Sequence, residues 1–378
     1  MPRSTKNCCF GVIMLLTLAG AAMLLYASKA DRSGVATAAD PLAKRAGGVS
    51  YNETSADDAL RSLCDLYRGG HVAGDLCTSL CYYYDRWDIQ DYHTSNKHVI
   101  VLNYAGQKMV LKTQQPDIDA YEALPSEALA NDTNFLELVR ERIDDQLAID
   151  WPMDYVVHLL KIVWPSYVRT NQLREEDKRS LWTLLQQDEY ATFIVLPLAR
   201  VFPKVMGSCG HYYAVEYLVP FRMKPQYMNL RAKILVHLMG TLKLFYEFLN
   251  EPLHWCDARF ENFGLSADYP KRFLIMDADH VFTESRIRRM LTNLSCRSDG
   301  DCAVADCSSR CDLTTRHCTR RVNDNVEVFC KKFVNTMFQT AQSFRNNRYI
   351  SACHDANITN EQRLRDLRVV WAWSLADV

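Results

Sequence analysis

Asp257, Arg259 and Asn262 sit together in the segment WCDARFEN, and an apolar run carries the chain from there to Asp277. Phosphoryl transfer asks for such a set: a carboxylate beside the attacking hydroxyl, with an amide and a second carboxylate to hold metal ions. On this reading Asp257 orients the acceptor hydroxyl and Arg259 neutralises the transferring charge. Asn262 and Asp277 then hold Mg²⁺ or Mn²⁺. Asp and Asn also populate turns and helix caps, so the elements that must position these groups decide between the two roles.

An Asn five residues after the Asp is the spacing of a protein-kinase catalytic loop. Two positions depart from that loop. Trp255 stands where His is usual, and Ala278-Asp279 follow the metal-binding aspartate where Phe-Gly is usual. The stretch 272–276 reads as a short buried strand delivering Asp277. Residues 231–249 read as a long apolar-rich helix packed before the loop. Upstream, 98–104 and 108–113 are apolar runs around Ala105-Gly106-Gln107, a hairpin signal. Lys112 ends the second run, the place of the strand lysine that pairs nucleotide phosphates. No glycine-rich loop precedes His98. Residues 204–219 read as two further strands around Ser208-Cys209-Gly210, leading to a hinge near 216–219.

Helices are expected at 133–149, 154–163 and 175–193, and near the end at 326–345 and 360–373. In the first, Thr133 is the expected cap, and Phe135, Leu138, Val139, Ile143 and Leu147 share one stripe. Glu137 and Glu141 of that helix are the carboxylates on offer to Lys112. The loop 166–177 has the length of a helix-loop-helix calcium site but carries Ser166, Val168 and Thr170 at the first, third and fifth positions. Ca²⁺ binding is not expected there.

Net charge is −1, with no clustered basic excess, so nucleic acid is not an expected partner. Fourteen cysteines point to an oxidising compartment. Residues 8–26 carry no charge, and about 20 apolar residues span a bilayer. They read as a signal anchor behind a cytosolic tail, 1–7, and before a flexible stem, 27–59. Sequons at Asn52, Asn131, Asn293 and Asn357 favour a lumenal body. Cys64, Cys77 and Cys81 read as a small disulfide knot, and Cys296 to Cys318 as a stapled insert, 296–330.

The stretches CDLYRGGHVAGDLCTSLC, SLWTLLQQDEY, KVMGSCG, RAKI and WCDARFEN, with the cysteine cluster 296–318, resemble the divergent protein-kinase-domain (DIPK) family, type-1 branch. These are cysteine-rich type II membrane proteins of the endoplasmic reticulum. The resemblance implies an α+β, bilobal protein-kinase-like fold: a small β-rich N-lobe at 60–219 and an α-rich C-lobe at 220–378, with disulfide-rich inserts, preceded by one transmembrane helix. It favours Glu137 as the partner of Lys112 and implies ATP with Mg²⁺ or Mn²⁺ as cofactor. The expected activity is phosphate transfer to a hydroxyl of a secretory-pathway protein or glycan, in the endoplasmic reticulum or Golgi. The alternative is an inactive pseudokinase serving as a membrane-anchored scaffold, favoured by Trp255, by Ala278-Asp279 and by the missing glycine loop.

Overall fold

The structure is a computed structural model describing residues 53–376, except 84–85, 105, 224–230, 268–270, 339–347 and 356. The expected membrane span, 8–26, lies outside the described residues, as does the stem up to 52. Among the described residues no helix is long and apolar enough to cross a membrane. Tyr51–Val378 is one compact unit.

Helix α1 (Glu53–Arg68) starts inside the segment expected to be flexible. Ala56, Leu60, Leu63 and Cys64 recur at helical spacing and are buried, which holds it in place. Helix α2 (Cys77–Tyr82) follows. The expected cysteine knot is only partly local. Cys64–Cys81 joins the two helices, whereas Cys77 bonds to Cys209 in the sheet. Gly74 allows this joint, because a Cβ there would stand 2.2 Å from the carbonyl oxygen of Ser208.

Five antiparallel strands form the main sheet: β1 (Trp87–Thr94), β2 (His98–Tyr104), β3 (Gln107–Thr113), β4 (Val205–Cys209) and β5 (Tyr212–Glu216), in the order β1-β2-β3-β5-β4. Gly106 turns the β2–β3 hairpin at φ +88°. Alternation divides the faces. Ile100, Leu102, Met109, Leu111 and Ala214 pack with α1 and α2. Tyr213 and Val215 join the larger core of the helices, so Lys112, paired in register with Tyr213, faces that side too.

Six helices separate β3 from β4: α3 (Ser126–Ala130), α4 (Asp132–Leu147), α5 (Met153–Val163), α6 (Pro165–Thr170), α7 (Glu175–Leu185) and α8 (Asp188–Val195). Asn131, not Thr133, caps α4; its side chain accepts from the Thr133 amide at 2.8 Å. The expected helix 175–193 is broken at Gln186-Gln187. The Gln187 side chain accepts from Gln114 N and donates to His211 O, pinning the break to the sheet. In the loop 166–177, the closing carboxylate of Asp177 accepts from Trp164 Nε1 and from the Arg174 amide.

The rest is mostly helical. After β6 (Leu218–Pro220) come α9 (Arg231–Glu247), β7 (Leu253–Trp255), β8 (Phe263–Ser266), β9 (Phe273–Ile275), β10 (Val281–Thr283) and α10 (Glu284–Asn293). Strands β6, β8 and β9 form a small sheet, and β7 pairs with β10. The cysteine-rich insert is held by Cys296–Cys311 and Cys302–Cys318. Helices α11 (Asn325–Phe329), α12 (Asn335–Phe338), α13 (Arg348–Ser351) and α14 (Asn360–Ala376) complete the chain, with Cys330–Cys353 among them. Trp255 serves this core: it stacks on Phe333 at 5.3 Å and meets Phe263 edge-on at 5.1 Å. A large ring there adds burial that an imidazole would not.

Candidate active site

Strand β3 carries Lys112 to the inner face of the sheet. Its ammonium donates to Glu189 Oε1 at 2.5 Å and to the Met276 carbonyl at 2.8 Å. Met276 adjoins Asp277, so Lys112 stands next to the segment that bears that aspartate.

The carboxylate on Lys112 is Glu189, in the first turn of α8, and not Glu137. Glu137 is exposed on α4. The correction follows from the break at Gln187. A single helix through 193 gives Glu189 no distinct place, whereas a new helix starting at Asp188 aims it into the cleft, where its side chain is 1% exposed. Glu189 lies within SLWTLLQQDEY, and an acid beside a helix start amid Tyr190, Ala191 and Phe193 is the signal that could have found it. Glu141 is likewise exposed.

Glu189 also receives Lys97, which sequence reasoning missed. Lys97 stands between β1 and β2, just ahead of His98, where the glycine-rich loop is absent. Its ammonium contacts Glu189 Oε2, Asp277 Oδ1 at 2.9 Å and Asp279 Oδ2 at 2.8 Å. Burial alone would lower the Lys97 pKa, but Glu189, Asp279 and Asp277 outweigh it and raise it. Burial likewise pushes Asp277 up, yet the Lys97 ammonium, with Lys112 behind it, holds it below the usual carboxylate range. Asp279 goes the other way, to about 6, through burial and the charge of Glu189. Ala278, between the two aspartates, is fully buried.

The segment 257–262 forms the opposite wall. Arg259 grips Asp257 through Nε at 2.5 Å and Nη2 at 2.8 Å. Asn262 Nδ2 donates to Asp257 Oδ2 at 2.9 Å and to the Asp257 carbonyl at 3.0 Å. The Asn262 carbonyl accepts from Met276 N at 2.7 Å. Asn262 therefore links Asp257 to the strand end that bears Asp277. Of the six predicted site residues, Lys112 and Asp277 meet through Glu189, Lys97 and Met276; Asp257, Arg259 and Asn262 are joined by hydrogen bonds; and the Met276–Asn262 backbone bond links the two groups. Glu137 belongs to neither.

The cysteine-rich insert braces this loop. Cys256, next to Asp257, is bonded to Cys307. Asp306 Oδ2 accepts from Ala258 N at 3.0 Å, Asp306 N donates to Cys256 O at 2.6 Å, and Lys332 holds Asp306 Oδ1 at 2.7 Å. From beneath, Asn325 donates to Leu253 O and accepts from Trp255 N.

The donor set suits a hard divalent cation. Carboxylate oxygens of Glu189, Asp277 and Asp279 lie within 4.8 Å of one another, and oxygen ligands are what Mg²⁺ and Mn²⁺ take. Cys296, Cys302 and Cys311 also cluster, but their sulfurs are spent in disulfides.

Residues 181–354 match a family model described as the protein-kinase domain of FAM69. Among solved structures, vaccinia related kinase 3 is similar at 12% identity and TM-score 0.33, over 76% of this chain and 87% of that one. The erythromycin complex of Rv3197 from Mycobacterium tuberculosis is similar at 14% identity and TM-score 0.25, over 85% and 88% of the two chains. Likenesses this slight bear on neither substrate nor catalysis. The family match covers Glu189, Asp257, Asn262 and Asp277 together, and over that stretch the chain is similar to the protein-kinase domain of FAM69, the divergent (DIPK) kinase family.

Proposed function

We propose that this chain is a lumenal, membrane-anchored kinase of the secretory pathway, in the endoplasmic reticulum or Golgi. It passes the γ-phosphoryl group of ATP to a hydroxyl of a secretory protein or glycan. The observation that carries this reading is the gathering of Lys112, Glu189 and Asp277 in one charge cluster that the Met276–Asn262 backbone bond ties to Asn262 and its partner Asp257. Six disulfides support an oxidising compartment. The uncharged run 8–26 and the four sequons support an anchor with a glycosylated body outside the cytosol.

In this reading Lys112, positioned by Glu189, holds the nucleotide phosphates. Asp277 and Asn262 would hold the divalent cation, with carboxylate oxygens of Asp279 and Glu189 beside them. When bound, that cation would supply positive charge to the phosphate oxygens. Asp257 accepts the proton of the attacking hydroxyl as the new P–O bond forms, the β–γ bridging bond breaks and ADP departs. For this Asp257 must exchange a contact with Arg259, which is exposed. Arg259 then turns to the transferring phosphoryl oxygens.

The test has two steps. ATP with Mg²⁺ or Mn²⁺ at millimolar concentration should raise the unfolding midpoint by mass action. Phosphate transfer to secretory-pathway proteins should then disappear in Asp277→Ala. No midpoint shift with any nucleotide–metal pair would end the enzyme reading. The scaffold reading is favoured by one observation, the seating of Lys97 against Asp277 and Asp279. It predicts no transfer by the wild type in the same assay.

A further inference from the structure

We propose that Lys97 is a built-in occupant of the divalent-cation position, which metal must displace before the site can be loaded. This deepens the kinase reading and rests on it for the metal's place, but it concerns the chain without nucleotide.

Three observations carry it. First, the same three carboxylates that offer oxygens to one point, those of Glu189, Asp277 and Asp279, all contact the Lys97 ammonium. A monovalent cation tethered by its own side chain thus fills the space a divalent ion would take. Second, the charges do not otherwise balance. Lys97 and Lys112 against three carboxylates leave one negative charge; withdrawing Lys97 leaves two, which a divalent ion would neutralise. Removing one partner of a buried ion pair is costly unless a substitute arrives, so metal binding and Lys97 release are coupled. Third, there is somewhere for Lys97 to go. A cavity of about 260 Å³ adjoins it, lined among others by Gln114, Gln187, Tyr213 and Asp279.

The leash is short. Lys97 sits in the turn closed by Ser95 N and the Lys97 carbonyl at 3.1 Å, and Thr94 pairs with His98 immediately beyond. Release is therefore a movement of the side chain and the β1–β2 turn, with the sheet unchanged. Lys112 stays where it is, since the Met276 carbonyl holds it independently of any metal ligand. Lys97 sets how tightly metal binds and lowers the negative charge of the unloaded cleft from two to one, which defers loading until a cation is plentiful or arrives with a nucleotide.

The experiment uses the whole lumenal body and Mn²⁺ alone. Binding is read by the electron paramagnetic resonance of free Mn²⁺ and by the unfolding midpoint. In Lys97→Met the midpoint without metal should fall, Mn²⁺ should restore it, and affinity should rise roughly ten-fold or more over wild type, within the usual range of coupling between two ligands. A second measurement needs no variant. An amine-acylating reagent, read by mass spectrometry, should modify Lys97 several-fold faster once Mn²⁺ is added to the wild-type protein, and Lys112 no faster. Equal Mn²⁺ affinity in wild type and Lys97→Met, or Lys97 labelling unchanged at saturating Mn²⁺, overturns the proposal. If Lys97→Met does not fold, the labelling decides. Tighter Mn²⁺ binding in Lys97→Met without any ATP-dependent shift would uphold the Lys97 assignment and end the kinase reading; transfer activity with unchanged Mn²⁺ affinity would do the reverse.

Discussion

The two walls of the cleft are held by different forces. On the sheet side, Lys97, Lys112, Glu189, Asp277 and Asp279 are fixed to one another mainly by charge, with the Met276 carbonyl and the Asp279 amide as backbone partners. On the loop side, Asp257 and Asn262 ride on backbone that is tied by a disulfide, by Asp306 and by Asn325. Charge pairs can exchange partners when a ligand brings new charges, whereas a covalent and hydrogen-bonded brace keeps one geometry. Under the proposed kinase reading, the sheet wall would receive phosphates and cation, and the loop wall would present the acceptor for the substrate hydroxyl.

The largest expected effect tests the sheet wall. Glu189→Gln leaves two buried ammonium groups short of a carboxylate and should destabilise the fold by about 3–5 kcal/mol, measured by denaturant unfolding. Glu137→Gln, on the exposed face of α4, should stay within about 0.5 kcal/mol. Similar losses in both would erase the distinction between the two glutamates.

Next comes the brace. The double change Cys256→Ser with Cys307→Ser should cost about 2–4 kcal/mol by freeing the unfolded chain. It should weaken transfer more than nucleotide binding, because it loosens Asp257 and leaves Lys112 untouched. A smaller effect of the same sign is expected of Asp306→Asn, roughly 1–3 kcal/mol for the loss of charge-assisted bonds to partly buried partners. A variant of either kind that binds ATP less well yet transfers at the wild-type rate would contradict the division of labour.

The smallest effect is in pH. Burial and the nearby charge of Arg321 lower the pKa of His254, under the loop wall, from 6.5 to about 4. The unfolded chain therefore binds a proton there that the folded chain refuses, so stability rises as pH climbs from about 4 to about 6.5. Asp279 has the opposite sign. Its raised pKa, about 6, makes the folded chain the tighter proton binder, and stability falls as pH rises from about 4 to 6. Midpoints measured across that window should rise more steeply with pH in Asp279→Asn than in wild type, and less steeply in His254→Gln.

Much of the loop wall was legible in the sequence because it is local. Asp257, Arg259 and Asn262 belong to one short segment, and Asp277 follows a single strand. Lys112 was legible through the hairpin. Glu189 was not, because the apolar stretches on either side of Gln186-Gln187-Asp188-Glu189 read as parts of one helix, and the docking of Gln187 onto Gln114 and His211 breaks it there. Lys97 was not, because nothing about a lysine in a turn announces three carboxylates from distant parts of the chain. The pairing of Cys77 with Cys209 was hidden for the same reason: the partner lies 132 residues away.

The bond between Cys256 and Cys307 has a bearing on engineering. Inserts between helices are commonly treated as exchangeable cassettes, trimmed or grafted at will. Here the insert acts as a splint on the segment that holds Asp257, so trimming it or swapping it for another would unsettle a residue outside it. A graft that keeps the reaction would have to carry Asp306, Cys307 and the facing Cys256 as a single part.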